Sequence, residues 1–532
     1  MSYSGITAPI PLGAEGLRTD DAQSTLPPNV LIEAFNINLF ANQIEKAAGS
    51  LKLNATALSD KIVALHDWHP NSSAQRLIAI TADGKAYRDT GDLTFTSQTA
   101  INTGYGVLNN SSHFAEGGLE TAGRDKKLFL FTGGNRQMKV LSADGTSFSD
   151  ISAPAADWSS NYPTFGMQHR SRMLAFGNAN DPHRIYLSET GDHEDFAGGG
   201  ALTFSIFPGE GDRLSGAFNF NGRLFLLKAP FGVYYLDDSQ PSSANWAIRK
   251  ISSSYGTASN HSIVVALRDV LAGNATGSIT SVAATEKFGD IESGDILSIL
   301  RIEDYMRQIT SSSAVSSMSS VYYQEKKQAF FSYQSTSGIN QDRLLIVDLG
   351  KQTPRAYLYD KDQPSCLALR KDDDNIARPI YGNDEGYVYQ MDNRATRDVG
   401  GSGYTGVFQT PHIDFSYVDP SLSSKNKIFQ FLEIVFEPTG SWDVDVEVYI
   451  DDELVETIQF AQATGPTLGD FVLDVDTLTG TSPQAIRKPL HGMGRRISFK
   501  IKNANVGENF KIQNLNVSFK VSSEQQVGFA NS

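Results

Sequence analysis

The sequence predicts an all-β protein, a β-propeller of about six to seven irregular blades followed by a C-terminal β-sandwich of jelly-roll type. Three observations lead to this prediction. Between about residues 60 and 392 a short unit recurs, with an apolar strand, a tight turn containing Gly or Asp-Gly, and a second strand carrying an aromatic residue. Beyond residue 410 the strands instead alternate strictly between apolar and polar residues. Ser, Thr, Gly and Asn fill the gaps between short apolar runs, as is typical of all-β proteins.

About seven copies of the repeating unit can be placed. A Gly or Asp-Gly turn supplies the positive φ that a two-residue hairpin requires. Because a lone hairpin is marginal in water, the copies are expected to share a core around one axis. Irregular spacing of the turn glycines argues against WD40 and kelch arrays, and a β-sandwich protein with many hairpins is the alternative. Hairpin signals are weak between 88 and 127. The copies lie at 77–87, 128–148, 173–187, 224–236, 263–282, 344–350 and 380–389.

The pattern divides the chain into five segments. Pro27 and Pro28 keep the first segment extended, and five glycines up to Gly406 indicate a linker after the propeller. One stretch, Ile296–Gln308, has a helical period. The predicted segments are an N-terminal arm packed on the propeller (1–59), the β-propeller (60–392), a Gly-rich linker (393–410), the β-sandwich (411–521) and a frayed tail (522–532).

Five alternating strands predict the C-terminal β-sandwich, since each has one polar face. Asp451-Asp452 is its clearest hairpin turn. The predicted strands are Phe429–Phe436, Trp442–Ile450, Phe471–Val475, Ile497–Ile501 and Phe510–Phe519.

Composition limits the classes of function. The net charge is −15, whereas a protein that grips nucleic acid by its phosphates is normally basic. Acidity suits solubility, or a surface past which nucleic acid slides without sticking. With Cys366 as the single cysteine, the chain forms no internal disulfide and no cysteine zinc site, which fits a reducing cytoplasm. The sequence predicts neither a signal peptide nor a membrane-spanning segment.

Few residues suggest chemistry. His66 and His69 point to opposite faces of a strand, so a shared metal would need a turn there. Asp372–Asp374, with Asp360 and Asp362 nearby, has oxygen ligands for Ca²⁺ but lacks the Asp-x-Asp-x-Asp-Gly order, so a solvated loop is favoured. The turns at 81–84 and 142–145 lack the spacing and the Thr-Trp ending of a sialidase Asp-box.

The sequence therefore predicts no catalytic residue, no cofactor and no metal, and it has no Gly-x-Ser-x-Gly, Walker loop or His-Glu-x-x-His motif. Three aromatic residues in predicted loops are candidates for contact with a sugar or a partner protein, although hairpin packing is the more common role of such residues. They are Tyr162, Phe196 and Phe207.

Four stretches, in this order, resemble the tail nozzle (tail hub, tail tubular B-like) proteins of short-tailed bacteriophages, and the resemblance covers about residues 16–460. The N-terminal stretch departs from the family at Asn29, where Gly is common, and at Ala47, where Arg is common. The first stretch comprises Leu26-Pro-Pro-Asn29, Asn36-Ile-Asn38 and Ile44-Glu-Lys46 with Gly49. The others are Arg184–Phe196, Thr285–Ile291, and Val321–Tyr333 with Leu344–Asp348.

The resemblance implies a structural virion protein and not an enzyme. Such a protein forms a homohexameric ring below the adaptor (head-to-tail connector) ring, extends or closes the DNA-ejection channel, and anchors fibres or spikes. It is assembled in the host cytoplasm and resides in the virion tail, where double-stranded DNA passes through it. Acidic loops facing the channel would repel DNA phosphates, with Glu210–Asp212 and Asp372–Asp374 as candidates.

Two other functions stay open from the sequence. One is a carbohydrate-binding or glycoside-cleaving propeller, which predicts a pair of carboxylates in the axial funnel. The other is a different tail component with the same propeller.

Overall fold

The repeating unit of the structure, a computed structural model, is a small antiparallel sheet rather than a single hairpin. Each of the seven predicted copies falls in a different sheet. The structure describes residues 5–22, 25–40, 43–92, 95, 98–109, 111–119, 126–207, 212–240, 242–266, 269–282, 295–336, 340–351, 353–440, 442–462 and 483–522.

The N-terminal arm contributes five short strands. They are β1 (Ile6–Pro9), β2 (Glu33–Phe35), β3 (Ile37–Leu39), β4 (Ile44–Lys46) and β5 (Gly49–Lys52).

Seven sheets follow, each formed by strands that are consecutive in the chain. Sheet one has β6 (Ile62–Asn71), β7 (Ala74–Thr81), β8 (Ala86–Asp89) and β9 (Gln98–Asn102); sheet two has β10 (Ser112–Leu119), β11 (Lys126–Thr132), β12 (Lys139–Leu141) and β13 (Phe148–Asp150); sheet three has β14 (Phe165–His169), β15 (Arg172–Phe176), β16 (Arg184–Leu187) and β17 (Leu202–Ser205); sheet four has β18 (Arg213–Phe220), β19 (Arg223–Ala229), β20 (Val233–Asp237) and β21 (Ala247–Ser252); sheet five has β22 (Ile263–Ala266), β23 (Asp269–Gly273) and β24 (Ile279–Ser281); sheet six has β25 (Ser320–Tyr323), β26 (Gln328–Tyr333), β27 (Arg343–Asp348) and β28 (Arg355–Tyr359); sheet seven has β29 (Cys366–Lys371), β30 (Ala377–Gly382) and β31 (Val388–Asn393).

The seven sheets close into a ring. The first strand of each sheet contacts the first strand of the next, in the order β6, β10, β14, β18, β22, β25 and β29, and β29 contacts β6 again. Buried apolar clusters lie between adjacent sheets; in one of them Ile78 and Ile80 of sheet one pack with Leu128 and Leu130 of sheet two. This arrangement is a β-propeller, and the sheets are its blades.

The arm completes the propeller instead of lying outside it. β5 pairs with β31 and becomes the fourth strand of blade seven. The sequence predicts a boundary between the arm (1–59) and the propeller (60–392). The structure places β5 of the arm inside the propeller, and the sequence does not show this because the two paired strands lie more than 300 residues apart. β2 likewise pairs with β28 of blade six, so the arm contacts both of the last two blades.

Beyond the propeller, the chain builds two larger sheets together with the arm. The strands are β32 (Gly406–Gln409), β33 (Lys427–Phe436), β34 (Asp443–Ile450), β35 (Glu453–Ala461), β36 (Gln484–Gly494), β37 (Ile497–Asn503) and β38 (Lys511–Val521). One sheet has the order β3-β4-β38-β33-β36, with β1 also paired to β38. The other continues blade six in the order β28-β2-β32-β37-β34-β35. The segment predicted as a linker at 393–410 thus includes strand β32.

Side chains from both larger sheets belong to one buried cluster. Phe436 in the first sheet lies 6.4 Å, between ring centroids, from Phe460 in the second. The predicted strand Phe471–Val475 lies outside the described residues. The Asp451-Asp452 turn joins β34 to β35 with φ of 47° and 73°, the left-handed values that a tight hairpin needs.

Helix is confined to short pieces. The predicted helix Ile296–Gln308 is divided into α1 (Ile296–Ile299) and α2 (Glu303–Ile309), with Arg301 between them at φ 57°. In the described part, no helix has the length and apolar character needed to cross a membrane. The 3₁₀ turns are η1 (Ala156–Ser159), η2 (Ser243–Asn245), η3 (Asn260–Ser262), η4 (Ser312–Ser317) and η5 (Pro420–Ser424).

The turn glycines mostly behave as the repeat predicts. Gly84, Gly145, Gly277 and Gly386 have φ between 67° and 85°. Gly350 is the exception, because it is absent from the positive-φ residues of the described chain.

Candidate functional site

A cavity of about 230 Å³ opens at one end of the propeller axis. The residues that begin the inner strands of blades two, three and four line it, together with the η3 turn that precedes blade five. Its polar and charged lining residues include Ser111, His113, Thr164, Arg213, Ser215, Ser259, Asn260, His261 and Ser316.

Two histidines meet across the propeller axis at this cavity. The ring centroids of His113 on β10 and His261 in η3 are 5.4 Å apart, and the side-chain amide of Asn260 lies 3.4 Å from His113. Blade two and the turn before blade five are not neighbours in the ring, so this contact crosses its centre. Burial, with a smaller effect from His261, lowers the pKa of His113 to about 3. Burial also lowers the pKa of His261, so the folded state disfavours a charge on either ring.

The axial cavity lacks the acid–base equipment of a glycosidase. Among the described residues that line it, none is Asp or Glu. Glycoside hydrolysis generally needs two carboxylates about 5–10 Å apart. Hydroxyl groups, Arg213 and the two histidines line the cavity instead, and these groups can form hydrogen bonds with a polar ligand.

The His66 and His69 side chains are not brought together on a metal. His66 Nε2 lies 2.9 Å from Glu116 Oε1 on β10, whereas His69 Nε2 lies 2.9 Å from Asp67 Oδ2. Asp67 also accepts hydrogen bonds from the Gln75 side chain and the Lys371 amide. Within the described ranges, no group of three His, Cys, Asp or Glu residues is arranged to hold a metal ion.

The aspartates considered for Ca²⁺ have separate partners. Asp372 closes its own turn by accepting the Asp374 and Ile376 amides, and it pairs with Arg378 at 2.6 Å. Asp360 pairs with Arg343 at 2.9 Å. These contacts make Asp372 and Asp360 structural anchors, and they leave Asp373 and Asp374 exposed at the tip of the turn.

The prediction that the loop Glu210–Asp212 presents an acidic surface is wrong for Asp212. Its carboxylate is nearly buried and lies 3.1 Å from the Lys228 ammonium, which is itself fully buried. His183 Nδ1 lies 3.6 Å from the same oxygen. A buried ammonium needs a counter-ion, so Asp212 faces inward. Glu210 lies outside the described residues.

The three candidate aromatic residues differ in exposure. Phe196 is buried, and its ring lies 4.8 Å from that of Trp158. Tyr162 is partly buried against the same cluster. Phe207 is 48% exposed and stacks on Tyr234 at 5.6 Å, so it is the one of the three that offers an aromatic face to a partner.

The arm signature, which the sequence identifies only by resemblance, forms a hydrogen-bonded junction. Asn36 is fully buried. Its side-chain amide donates to Asp360 Oδ1 at 2.5 Å and to the Thr405 carbonyl at 2.7 Å, while its oxygen accepts the Asp360 and Lys361 amides. Its φ of 51° suits Asn better than most side chains. Asn36 therefore joins the arm to blade six and to the segment before β32.

Three more signature residues bind the arm to its surroundings. The Tyr359 hydroxyl donates to Asn38 Oδ1 at 2.6 Å. The fully buried Lys46 ammonium donates to Asn503 Oδ1 at 2.8 Å, and burial lowers its pKa to about 8. At Gly49 a Cβ atom would lie 2.3 Å from the Asp398 carbonyl oxygen, so β5 can approach that segment only with glycine.

Sequence reasoning missed a buried ion pair at the same junction. Lys361 and Asp362 pair at 2.5 Å with side chains 1% and 0% exposed. The Ser50 hydroxyl from β5 donates to the other oxygen of Asp362 at 2.6 Å. The ion pair joins neighbours in the sequence, but Ser50 lies 312 positions from Asp362, so no local signal shows that the pair is buried under β5.

An open cleft of about 660 Å³ borders this junction. Tyr381, Tyr389 and Tyr404 contribute aromatic walls, and Asp384 and Glu385 contribute carboxylates. Asp384 pairs with Lys61 at 2.8 Å. The cleft therefore combines aromatic rings with carboxylates, one of which is already paired.

Neither a protein-family model nor a curated protein matches this sequence. Similar solved structures include YCF48 bound to a D1 peptide, with TM-score 0.37, 9% identity, and coverage of 68% of this chain and 97% of that one. BBS1N in complex with ARL6DN has TM-score 0.40, 9% identity, and coverage of 65% and 98%. The β-propeller domain of Cps50 (Swd1) from Myceliophteria thermophila has TM-score 0.37, 10% identity, and coverage of 66% and 99%. At TM-scores below 0.5 these likenesses carry no argument, and the propeller assignment rests on strand pairing and ring closure.

Proposed function

We propose that the protein is a structural component of a short-tailed bacteriophage virion, the tail nozzle. In this proposal six copies form a ring below the adaptor ring, extend or close the DNA-ejection channel, and anchor fibres or spikes. The protein is assembled in the host cytoplasm, resides in the tail, and catalyses no reaction. We also propose that the two larger sheets, which share a buried cluster, form a β-sandwich of jelly-roll type.

One observation carries the proposal. The N-terminal signature that resembles the nozzle family coincides with the residues that join the arm to its surroundings, above all Asn36, Asn38, Lys46 and Gly49. A signature with such structural roles is expected in a family that shares this architecture. Of the other resembling stretches, Arg184–Phe196 includes strand β16, and Val321–Tyr333 lies in blade six. Thr285–Ile291 lies outside the described residues.

The filled propeller axis determines where a channel would run. Because His113 and His261 meet across the axis, DNA would not pass through the propeller itself. The channel would instead lie between copies of the chain, around the axis of the ring. A net charge of −15 suits such a channel, since acidic walls repel phosphates and keep the genome moving.

Electron-microscope class averages of native particles, and of the purified protein mixed with the adaptor ring, test this proposal. The expected result is a sixfold ring with a central channel, stacked under the wider adaptor ring. Well-resolved single propellers at high protein concentration, with the adaptor ring present, would overturn it. Retention of the protein on double-stranded DNA at about 0.15 M salt would also contradict a repelling channel.

A further inference from the structure

An apolar patch lies uncovered on the outer face of the six-stranded sheet. Ile428 on β33 is 44% exposed, and Met493, directly opposite on β36, is 53% exposed. Phe431, which is 37% exposed, stands opposite Pro489. Opposite residues of an antiparallel pair share a face. A β-bulge between Phe429 and Phe431 returns Phe431 to the side of Ile428, since their partners on β38 are two positions apart. These four side chains therefore form one surface, here called the β33–β36 patch.

Polar residues border the patch on the side of β38. Lys520 of β38 stands opposite Ile428, and Ser518 stands opposite Phe431. The Arg487 guanidinium lies 4.1 Å from the centre of the Phe431 ring. An antiparallel sheet with one face in water normally places polar residues there, so an apolar group of this kind indicates a contact.

The C-terminal tail begins next to the patch. β38 ends at Val521, opposite Lys427, and the Ser522 amide donates to the Asn426 carbonyl at 2.9 Å. The remaining ten residues, 523–532, lie outside the described part of the chain. Extended, they reach about 30 Å, whereas Ile428 and Phe431 are separated by about 10 Å along β33.

The chemistry of the tail matches that of the patch. Its sequence is Ser-Glu-Gln-Gln-Val-Gly-Phe-Ala-Asn-Ser. Val527 and Phe529 are two positions apart, so an extended segment presents both on one side. Glu524, the one charged residue among these ten, precedes them and complements Lys520 and Arg487 at the boundary of the patch.

We propose that the C-terminal tail of each chain folds back over its own β33–β36 patch, with Val527 and Phe529 packed on Ile428, Phe431 and Met493. The tail then shields an apolar surface that would otherwise promote association between molecules. This inference does not depend on the proposed virion function.

A disulfide between the tail and the patch tests the proposal directly. Cys366 does not interfere, because it is buried and burial raises the pKa of its thiol to about 12. The test variant combines Phe529→Cys with Met493→Cys. The matched control combines Phe529→Cys with Val265→Cys, a 49% exposed apolar position on blade five. After mild oxidation of each, non-reducing gels and peptide mass spectrometry report the linkages.

The expected result is a bond within one chain that forms at least about ten times faster in the test variant than in the control. Equal rates in the two variants would overturn the proposal. A bond that joins two chains would also overturn it, because the tail would then cover a neighbouring copy.

A second measurement uses a chain that ends at Ser522. If the tail shields the patch, its removal raises the fluorescence of a bound hydrophobic dye, while circular dichroism stays that of the full chain. Adding Ile428→Ser and Met493→Ser to the shortened chain is expected to return the fluorescence to the original value. If a folded, shortened chain binds no more dye than the full chain, the proposal is wrong.

Discussion

At the scale of single residues, the axial histidines make stability depend on pH. The pKa of His113 falls from 6.5 to about 3 on burial, so the folded state disfavours its proton. The contribution of His113 to stability is complete above about pH 6.5 and is lost as the pH falls towards 3, by up to ~1.4 kcal/mol per pH unit. We expect His113→Gln, which is neutral and keeps hydrogen-bonding groups, to lose less unfolding free energy between pH 7 and pH 5 than the wild type.

Urea unfolding at the two pH values measures this difference. His491→Gln is the matched control, because the His491 side chain is 76% exposed, and we expect the control to keep the wild-type dependence. The same loss of stability in His113→Gln as in the wild type would contradict a neutral histidine at the axis.

Asp89 changes stability with pH in the opposite direction to His113. Burial raises its pKa to about 6. One of its oxygens accepts the Leu77 amide at 3.1 Å, and the other has no partner among the described residues. Because the folded pKa exceeds the ordinary 3.8, this contribution to stability is present below about pH 4 and is lost as the pH rises through 6.

We therefore expect Asp89→Asn, which keeps the oxygen that accepts from Leu77, to stabilise the protein by about 1–3 kcal/mol at pH 8 and to have little effect at pH 4. Denaturant titrations at both pH values test this expectation, with the exposed Asp373→Asn as control. A less stable Asp89→Asn variant at pH 8 would instead mean that the carboxylate is ionised and paired, with Arg370 nearby.

At the scale of elements, strand β5 closes the propeller, and Cys366 on the inner strand of the same blade reports on that closure. Its thiol is buried, with a pKa of about 12, and should not react with a thiol reagent in the native protein. We expect Gly49→Val, whose Cβ would lie 2.3 Å from the Asp398 carbonyl oxygen, to displace β5 and speed the reaction of Cys366 by about tenfold or more.

Gly199→Val is the control for this experiment, because a Cβ at Gly199 meets nothing within 4 Å. The rate of modification by a chromogenic disulfide reagent is the measurement. Equal, slow rates in both variants would show that blade seven stays closed without β5.

Individual strands and hairpins differ in how far the sequence predicts them. Hairpins are local, so the turn at Asp451-Asp452 and the alternation of Lys427–Phe436 are visible in the pattern. The pairings of β5 with β31 and of β2 with β28 join residues more than 300 positions apart and leave no periodic signal. The surroundings of Asp212 also depend on contacts between distant residues. In the sequence it resembles a solvated acidic residue, whereas in the fold it lies beside the buried Lys228.

At the scale of the whole molecule, the arm unites the propeller with the two larger sheets. β1, β3 and β4 belong to the six-stranded sheet that contains β33, β36 and β38. β2 belongs to the sheet that continues blade six, and β5 belongs to blade seven. A sheet that takes three of its six strands from the arm leaves edges and apolar surface uncovered when the arm is missing. The C-terminal region is therefore not expected to fold by itself, although its sequence has the length of a domain.

A pair of shortened proteins tests this dependence. One contains residues 403–522 alone, and the other joins residues 5–48 to 403–522 through a short Gly/Ser linker. The join is feasible because the Tyr404 hydroxyl contacts the Ala47 carbonyl, and Gly406 packs against Lys46. We expect the joined protein to unfold cooperatively on heating, followed by circular dichroism, because β1 and β4 again pair with β38 and β2 with β32. Residues 403–522 alone are expected to show no cooperative transition and to aggregate through the uncovered edges. A cooperative transition in that fragment would mean that residues 403–522 form a domain that is stable without the arm. If neither protein unfolds cooperatively, the contact of β2 with blade six is also required.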